Sequence, residues 1–205
     1  MRVLVFGDSI GQGFYDDIDC GWVQMLQKEY IAKAIAGEED VNIINLSVSG
    51  HSSQDVLSRI EPEILARKND EKIIIILAIG VNDSYEKSGH RRTSQTQFRE
   101  NIGKIINISK KYGEILVLGC SAGVDDRLNP TAWNPDLRYS NDRLKLYEEI
   151  LRDCAKSADA EFVPLWHIIN QAQSLHEVLP DGIHPNNKGH LIIYDQVAPK
   201  LRELI

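Results

Sequence analysis

The run Ile73-Ile74-Ile75-Ile76-Leu77 limits how this chain can fold more than any other feature of its sequence. It is apolar at successive positions, so both faces of the strand that contains it, predicted over Lys72–Ile79, need to be covered. Such strands lie in the middle of parallel sheets with helices on both sides. Four more strand patterns alternate with helical patterns along the chain, at Arg2–Phe6, Val41–Leu46, Ile115–Cys120 and Glu161–Val163. The alternation predicts one three-layer α/β/α domain over residues 1–205.

The helical patterns place apolar residues three, four or seven positions apart, as on one face of a helix. The residues concerned are Trp22, Leu26 and Tyr30 in the first pattern, Phe98, Ile102, Ile105 and Tyr112 in the second, and Leu144, Leu151 and Cys154 in the third. A last helix is predicted from about Lys188 to the C-terminus.

Five strands in this alternation suit the flavodoxin-like order 2-1-3-4-5. In that order the ends of strands 1, 2 and 3 are neighbours, and right-handed crossovers place the loops that follow them on one rim of the sheet. Ser9, Gly50 and Asn82 follow these three strands. We therefore expect these three residues to converge on one crevice.

Composition excludes some classes of function. A formal net charge of −7 argues against a nucleic-acid binder, because phosphate contacts need clustered Lys and Arg. The longest apolar run, Ile73–Ile79, is too short to span a membrane, and Arg2–Phe6 is too short for a signal peptide. Three widely spaced cysteines suit free thiols in a reducing compartment. These features favour a cytoplasmic protein.

Two long loops can carry specificity. Tyr15–Gly21 holds three aspartates and, if it borders the crevice, is expected to repel anionic acyl donors. Ser121–Ser140 holds Trp133, which is expected to pin the loop to the core, with substrate contact as the alternative. The pair Arg91-Arg92 lies in a polar stretch that is expected to be a solvated loop.

Ser9 stands on the turn that follows the first strand, and a serine hydroxyl needs a base within hydrogen-bond reach to become a nucleophile. Among six histidines, His184 stands out because Asp181 precedes it by three residues in a turn shaped by Gly182. A carboxylate there can accept the Nδ1–H and leave Nε2 free to take the serine proton. The alternative is that Asp181 only forms the turn and His184 lies on the surface.

Acyl transfer also needs hydrogen-bond donors aimed at the developing oxyanion. The backbone N–H groups of Ser9 and Gly50 and the side-chain amide of Asn82 are the candidates. The alternatives are a turn glycine at Gly50 and a helix cap at Asn82.

Four short blocks occur in order along nearly the whole chain: Gly7-Asp8-Ser9-Ile10, Gly50, Gly80-Val81-Asn82-Asp83 and Asp181-Gly182-Ile183-His184. Together they resemble the four sequence blocks of the SGNH (GDSL-type) hydrolases. The resemblance implies that Ser9 is the nucleophile, His184 the general base and then acid, and Asp181 the residue that orients His184. It further implies an oxyanion hole made by Ser9, Gly50 and Asn82, activity on esters and thioesters, and no metal or cofactor.

Other interpretations fit less well. The segment Gly7–Gly11 also matches the elbow of the α/β-hydrolases, but that fold places its serine after several strands. A flavodoxin-like module would bind a phosphate or nucleotide on the Gly7–Gly13 turn, where Asp8 puts a negative charge. A metal site from Asp8, Asp83 and His184 has no supporting ligand spacing. The sequence therefore predicts a serine hydrolase of small or soluble (thio)esters that forms a covalent acyl-enzyme.

Overall fold

A central sheet of five parallel strands organises the protein, whose computed structural model describes residues 1–121, 123–172 and 175–205. The strands of the described chain are β1 (Arg2–Gly7), β2 (Asn42–Asn45), β3 (Ile73–Ala78), β4 (Glu86–Lys87), β5 (His90–Arg91), β6 (Glu114–Leu118), β7 (Leu137–Arg138) and β8 (Glu161–Val163). The parallel sheet has the order β2-β1-β3-β6-β8, which confirms the predicted order.

Helices cover both faces of this sheet and complete a three-layer α/β/α fold. They are α1 (Ser9–Gln12), α2 (Trp22–Ile35), α3 (Ser53–Arg67), α4 (Val81–Ser84), α5 (Gln95–Ser109), α6 (Asn141–Ser157), α7 (Trp166–Ala172), α8 (Leu175–Val178) and α9 (Asn187–Leu204), with a 3₁₀ turn at Asp126–Leu128. No helix in the described ranges is long and apolar enough to cross a membrane.

The apolar run behaves as its pattern predicts. All six residues of β3 are buried, and the strand pairs with β1 on one side and β6 on the other. The predicted helix faces are buried as well, with two exceptions. Tyr112 lies beyond the end of α5 at Ser109, and Cys154 is only partly buried.

Two features of the fold were not predicted. Helix α3 buries Val56, Ile60 and Ile64 at four-residue intervals behind a capping box between Ser52 and Asp55. A small antiparallel sheet, β5-β4-β7, joins the polar stretch after α4 to the long loop before α6. Its strands are two residues long, so they leave no periodic signal in the sequence.

Strand register decides where the candidate residues lie. Val5 pairs with Asn45, and Gly7 pairs with Ala78, so β1, β2 and β3 end close together at one edge of the sheet. The segments that follow these three strands therefore share a rim, and the turn before α9 reaches the same rim from the far end of the chain.

Candidate active site

Ser9 is the first residue of the four-residue helix α1, directly after β1. The Asp8 carboxylate caps this helix, because its Oδ1 accepts the Ile10 N–H at 2.9 Å. Gly13 ends the helix in a left-handed conformation with φ of 87°, where a Cβ would lie 1.8 Å from the Cys20 carbonyl oxygen. This tight turn holds the Ser9 side chain at the carboxyl end of the sheet.

The structure brings Ser9, His184 and Asp181 into one hydrogen-bonded chain. Ser9 Oγ lies 2.9 Å from His184 Nε2, and His184 Nδ1 lies 2.6 Å from Asp181 Oδ2. The second oxygen of Asp181 accepts the backbone N–H groups of Ile183 at 3.1 Å and His184 at 2.7 Å. The arrangement is the one expected from the Asp-Gly-Ile-His turn.

The charge on Asp181 settles the direction of these bonds. Burial raises the pKa of Asp181, but hydrogen bonding and charge from His184 outweigh burial and lower it to about 2. Asp181 is therefore ionised at neutral pH and can only accept hydrogen bonds. The proton of a neutral His184 lies on Nδ1, and Nε2 is left to accept the Ser9 hydroxyl proton.

Two of the three expected oxyanion donors are backbone N–H groups. Gly50 lines the same cavity as Ser9 and has a φ of 77°, which strongly favours glycine. Within the described chain, neither the Gly50 N–H nor the Ser9 N–H donates a hydrogen bond. Both are therefore available to an anion in the cavity.

The third expected donor, Asn82, already has partners. Its Nδ2 donates to the His51 carbonyl at 3.1 Å and to Asp8 Oδ2 at 3.3 Å. At 3.3 Å the bond to Asp8 is longer than the range of about 2.7–3.2 Å that is usual for N–H···O hydrogen bonds. Asn82 reaches the cavity, but an oxyanion would have to share or replace one of these bonds.

Two carboxyl groups are buried beneath the cavity. Burial raises the pKa of Asp8 to about 6 against the opposing effects of the Ile10 N–H and of His184. Burial also raises the pKa of Asp83, whose oxygens accept the N–H and the hydroxyl of Ser53 at 2.8 and 2.6 Å. No group of three His, Cys, Asp or Glu side chains in the described chain could hold a metal ion, so Asp8, Asp83 and His184 do not form such a site.

The cavity above Ser9 has a volume of about 430 Å³ and is largely aromatic. Its aromatic lining consists of Phe14, Tyr15, Tyr85, Trp133 and Tyr139. Three of these rings surround His184. Tyr15 stacks on the imidazole at 5.2 Å between ring centroids, with Trp133 at 5.8 Å and Phe14 at 6.0 Å.

Comparison with known proteins identifies the family. The sequence model of the GDSL-like lipase/acylhydrolase family matches residues 5–192. The chain belongs to this family. The resemblance seen in the four sequence blocks is thereby confirmed, and the chain is a GDSL-type esterase.

Individual relatives of this esterase are distant but cover almost all of it. An arylesterase from Vibrio mimicus is 25% identical over 202 residues, which cover 98% of this chain and 88% of that protein. Esterase TesA from Pseudomonas aeruginosa is also 25% identical and covers 99% of this chain and 89% of its own length. Among solved structures, a lipase/acylhydrolase from Enterococcus faecalis superposes with a TM-score of 0.76 at 22% identity, covering 98% of this chain and 95% of that one. This last likeness shows that the fold is shared.

Arg92 is exposed, as expected for a solvated loop, but it also lies at the site of this GDSL-type esterase. Its guanidinium lines the cavity, donates to the Gly50 carbonyl at 2.7 Å and to Asp55 Oδ2 at 2.9 Å, and lies over the Tyr85 ring. Arg91 is exposed as well, but it does not line the cavity. Nothing in the polar stretch distinguishes the two arginines, because the side-chain hydrogen-bond partners of Arg92, Gly50 and Asp55, lie 42 and 37 residues away.

The aspartates of the acidic loop do not line the cavity. Asp16 is buried, and its carboxylate accepts the backbone N–H groups of Ile18, Asp19 and Gly21. Burial raises the pKa of Asp16, but these hydrogen bonds outweigh it and lower the pKa. None of the three aspartates lines the cavity, which this loop borders with Tyr15 instead. The expected repulsion of anionic acyl donors would therefore have to act without direct contact between these carboxylates and the substrate, and it stays a prediction.

Trp133 does not pin its loop to the core, because 46% of the residue is exposed. Its indole Nε1–H donates to Asp181 Oδ2 at 2.8 Å, and its ring lines the cavity. Of the predicted Ser121–Ser140 loop, residue 122 lies outside the described residues. No sequence signal connects Trp133 to Asp181, which lies 48 positions further along.

Proposed function

We propose that this chain, as one hydrolase domain over residues 1–205, hydrolyses small carboxylic esters and thioesters through an acyl-enzyme on Ser9. The observation that carries the proposal is the continuous hydrogen-bonded chain from Ser9 Oγ through His184 to Asp181. Both distances lie within the reach that a nucleophile and its base require, about 2.6–3.2 Å.

In the first half of the proposed reaction, Ser9 Oγ attacks the ester carbonyl carbon while His184 Nε2 takes the hydroxyl proton. Asp181 stabilises the resulting imidazolium through its short bond to Nδ1. The carbonyl oxygen gains a negative charge and accepts hydrogen bonds from the N–H groups of Ser9 and Gly50 and from the Asn82 side-chain amide. The C–O or C–S bond to the leaving group then breaks, and the leaving group takes the proton from Nε2.

In the second half, a water molecule gives a proton to His184 Nε2 and attacks the acyl carbon bound to Ser9. The bond between that carbon and Ser9 Oγ breaks, the serine recovers its proton from His184, and the carboxylic acid leaves. The Ser9 proton leaves with the alcohol or thiol, and a proton from water replaces it on Ser9; the same imidazole nitrogen carries both, so no further acid or base is needed.

The cavity supports small substrates with an apolar or aromatic part. Its volume of about 430 Å³ and its five aromatic side chains suit a compact group, and no carboxylate lines it. The relative from Vibrio mimicus is named an arylesterase. Aryl esters of short acids are therefore the first substrates to test.

The phosphate-binding alternative is less well supported. An anion at the N-terminus of α1 would lie beside the buried Asp8, whose Oδ1 already accepts the Ile10 N–H. α1 is also only four residues long, and membership of the family favours ester hydrolysis.

The proposal is tested by p-nitrophenyl acetate hydrolysis with wild type and the Ser9→Ala variant. Ser49 also lines the cavity but lies outside the hydrogen-bonded chain, so Ser49→Ala is the matched control. We expect Ser9→Ala to lose nearly all activity and Ser49→Ala to keep most of it. Wild-type turnover by Ser9→Ala would refute the mechanism. An organophosphonate that adds its mass to wild type, but not to Ser9→Ala, locates the nucleophile.

A further inference from the structure

Trp133 makes a contact with the Asp181 carboxylate that the reaction scheme above does not use. It lies in the long segment between β6 and α6, and its Nε1–H donates to Asp181 Oδ2 at 2.8 Å. The same oxygen accepts the His184 Nδ1–H at 2.6 Å. Oδ2 therefore bonds to the base on one side and to an indole from a distant loop on the other.

The two oxygens of Asp181 are held in different ways. Oδ1 is fixed by two backbone N–H groups of its own turn, those of Ile183 and His184. Oδ2 has no backbone donor among the described residues, so side chains hold it: the His184 ring and the Trp133 indole bond to Oδ2, and the Tyr15 hydroxyl also hydrogen-bonds to the carboxylate. The His184 ring changes its charge during the reaction, whereas the indole donates in every state.

The loop that carries Trp133 holds the same turn at two further points. The Asp125 N–H donates to the Gly182 carbonyl at 3.0 Å. Leu128 packs so closely on Gly182 that a Cβ there would lie 2.8 Å from the Leu128 Cβ. Trp133 therefore belongs to a segment, residues 125–133, that packs against the Asp181–His184 turn.

The ring of Trp133 also limits the movement of the imidazole. Its centroid lies 5.8 Å from that of His184 at an interplanar angle of 45°, while Tyr15 stacks on the imidazole at 11°. Burial and the nearby Asp181 carboxylate raise the pKa of Tyr15, which keeps its hydroxyl protonated next to the same carboxylate. The two rings thus enclose the Asp181–His184 pair.

We propose that Trp133 is a positioning residue, which fixes the Asp181 carboxylate so that His184 presents Nε2 to Ser9. The proposal rests on the roles given to Ser9, His184 and Asp181 under the proposed function. Trp133 does not exchange a proton or touch the reacting carbon in this scheme. Its contribution is geometric, so its removal lowers kcat rather than substrate affinity.

The test replaces the indole while keeping a ring in place. Trp133→Phe removes the N–H, and benzothienylalanine incorporated at position 133 removes only the N–H while preserving the bicyclic shape. Trp166→Phe is the matched control, because Trp166 also donates its indole N–H to a side-chain oxygen, that of the neutral Asn141 at 3.2 Å. Kinetics with p-nitrophenyl acetate and thermal melting are measured for all three and for wild type.

We expect both changes at position 133 to lower kcat on the order of tenfold, the lower end of what a hydrogen bond to a charged group contributes. KM stays close to wild type, and Trp166→Phe leaves both constants unchanged. The benzothienyl protein keeps the packing, so a failure of Trp133→Phe to fold leaves the test intact. A benzothienyl protein with wild-type kcat overturns the proposal.

A spectroscopic measurement tests the bond directly. In ¹H–¹⁵N spectra the Trp133 indole signal, assigned as the one missing from Trp133→Phe, is expected to move in Asp181→Asn, while the Trp166 signal stays in place. An unmoved Trp133 signal overturns the proposal. Ser9→Ala distinguishes an error in the role of Trp133 from an error in the proposed mechanism. If it is inactive while the position-133 variants match wild type, only the role of Trp133 is wrong, whereas an active Ser9→Ala removes the mechanism itself.

Discussion

Removing the side chain of Asn82 tests how the oxyanion is stabilised. In the resting structure its Nδ2 donates to the His51 carbonyl at 3.1 Å and to Asp8 Oδ2 at 3.3 Å. Asn82 therefore lowers the free energy of the transition state only by the amount by which a hydrogen bond to the oxyanion is stronger than the long bond to Asp8. Deleting one oxyanion donor costs about 2.7–4 kcal/mol, or roughly 10²–10³ in kcat. We expect Asn82→Ala to fall at the lower end, near a hundredfold loss of kcat.

The same substitution also lowers stability, since Asp8 Oδ2 and the His51 carbonyl lose a donor. A buried acceptor left without a partner costs about 1–3 kcal/mol. The change in stability has to be separated from the change in rate. Asn101→Ala is the matched control, because Asn101 is fully buried and bonds to Ser53 Oγ at 3.0 Å outside the cavity. It is expected to reduce the free energy of unfolding while leaving kcat unchanged.

The assay is p-nitrophenyl acetate hydrolysis at saturating substrate, with urea unfolding of the same preparations. A kcat for Asn82→Ala within about threefold of wild type would remove Asn82 from the oxyanion hole, because even the weakest donor in the quoted range is worth more than this. A loss of kcat shared equally by Asn101→Ala would attribute the effect to stability.

Two further predictions concern Asp8 and Arg92. The pKa of Asp8 is raised from 3.8 to about 6, so the folded protein binds this proton more tightly than the unfolded chain and loses stability as pH rises from about 4 to 6. The full rise in pKa corresponds to on the order of 3 kcal/mol in the free energy of unfolding. Urea unfolding of Asp8→Asn should therefore lack this loss of stability with rising pH. If the free energy of unfolding of Asp8→Asn changes with pH as in wild type, the assigned effect of burial is wrong. Arg92→Ala should lower kcat on the order of tenfold, because a bond of about 1.5 kcal/mol or more to the Gly50 carbonyl is lost. The control is Arg91→Ala, because Arg91 is exposed and its Nε lies 3.7 Å from Glu86. Equal rates for Arg91→Ala and Arg92→Ala would show that Arg92 does not position Gly50.

Local patterns in the sequence were enough to predict the fold class and the order of the strands in the sheet. The apolar run in β3 can be buried only between two helical layers, and the alternation of strands and helices restricts the strand order. Once that order is known, the residues that follow β1, β2 and β3 must share a rim, because parallel strands end on the same side. The three-residue spacing of Asp181 and His184 likewise places their bond within one turn.

The tertiary structure alone decided which loop residues enter the cavity. Arg92 and Arg91 are adjacent and chemically identical, yet only Arg92 reaches Gly50, since the short strands β4 and β5 set the path of the chain between them. Asp16 turns inward to bind backbone N–H groups, and Trp133 reaches Asp181 across 48 residues. Such contacts depend on loop paths, which no periodic pattern encodes. Periodicity thus determined the sheet, and spacing together with the resemblance of the four sequence blocks indicated the serine, histidine and aspartate, whereas the surroundings of these three residues follow from packing between distant segments.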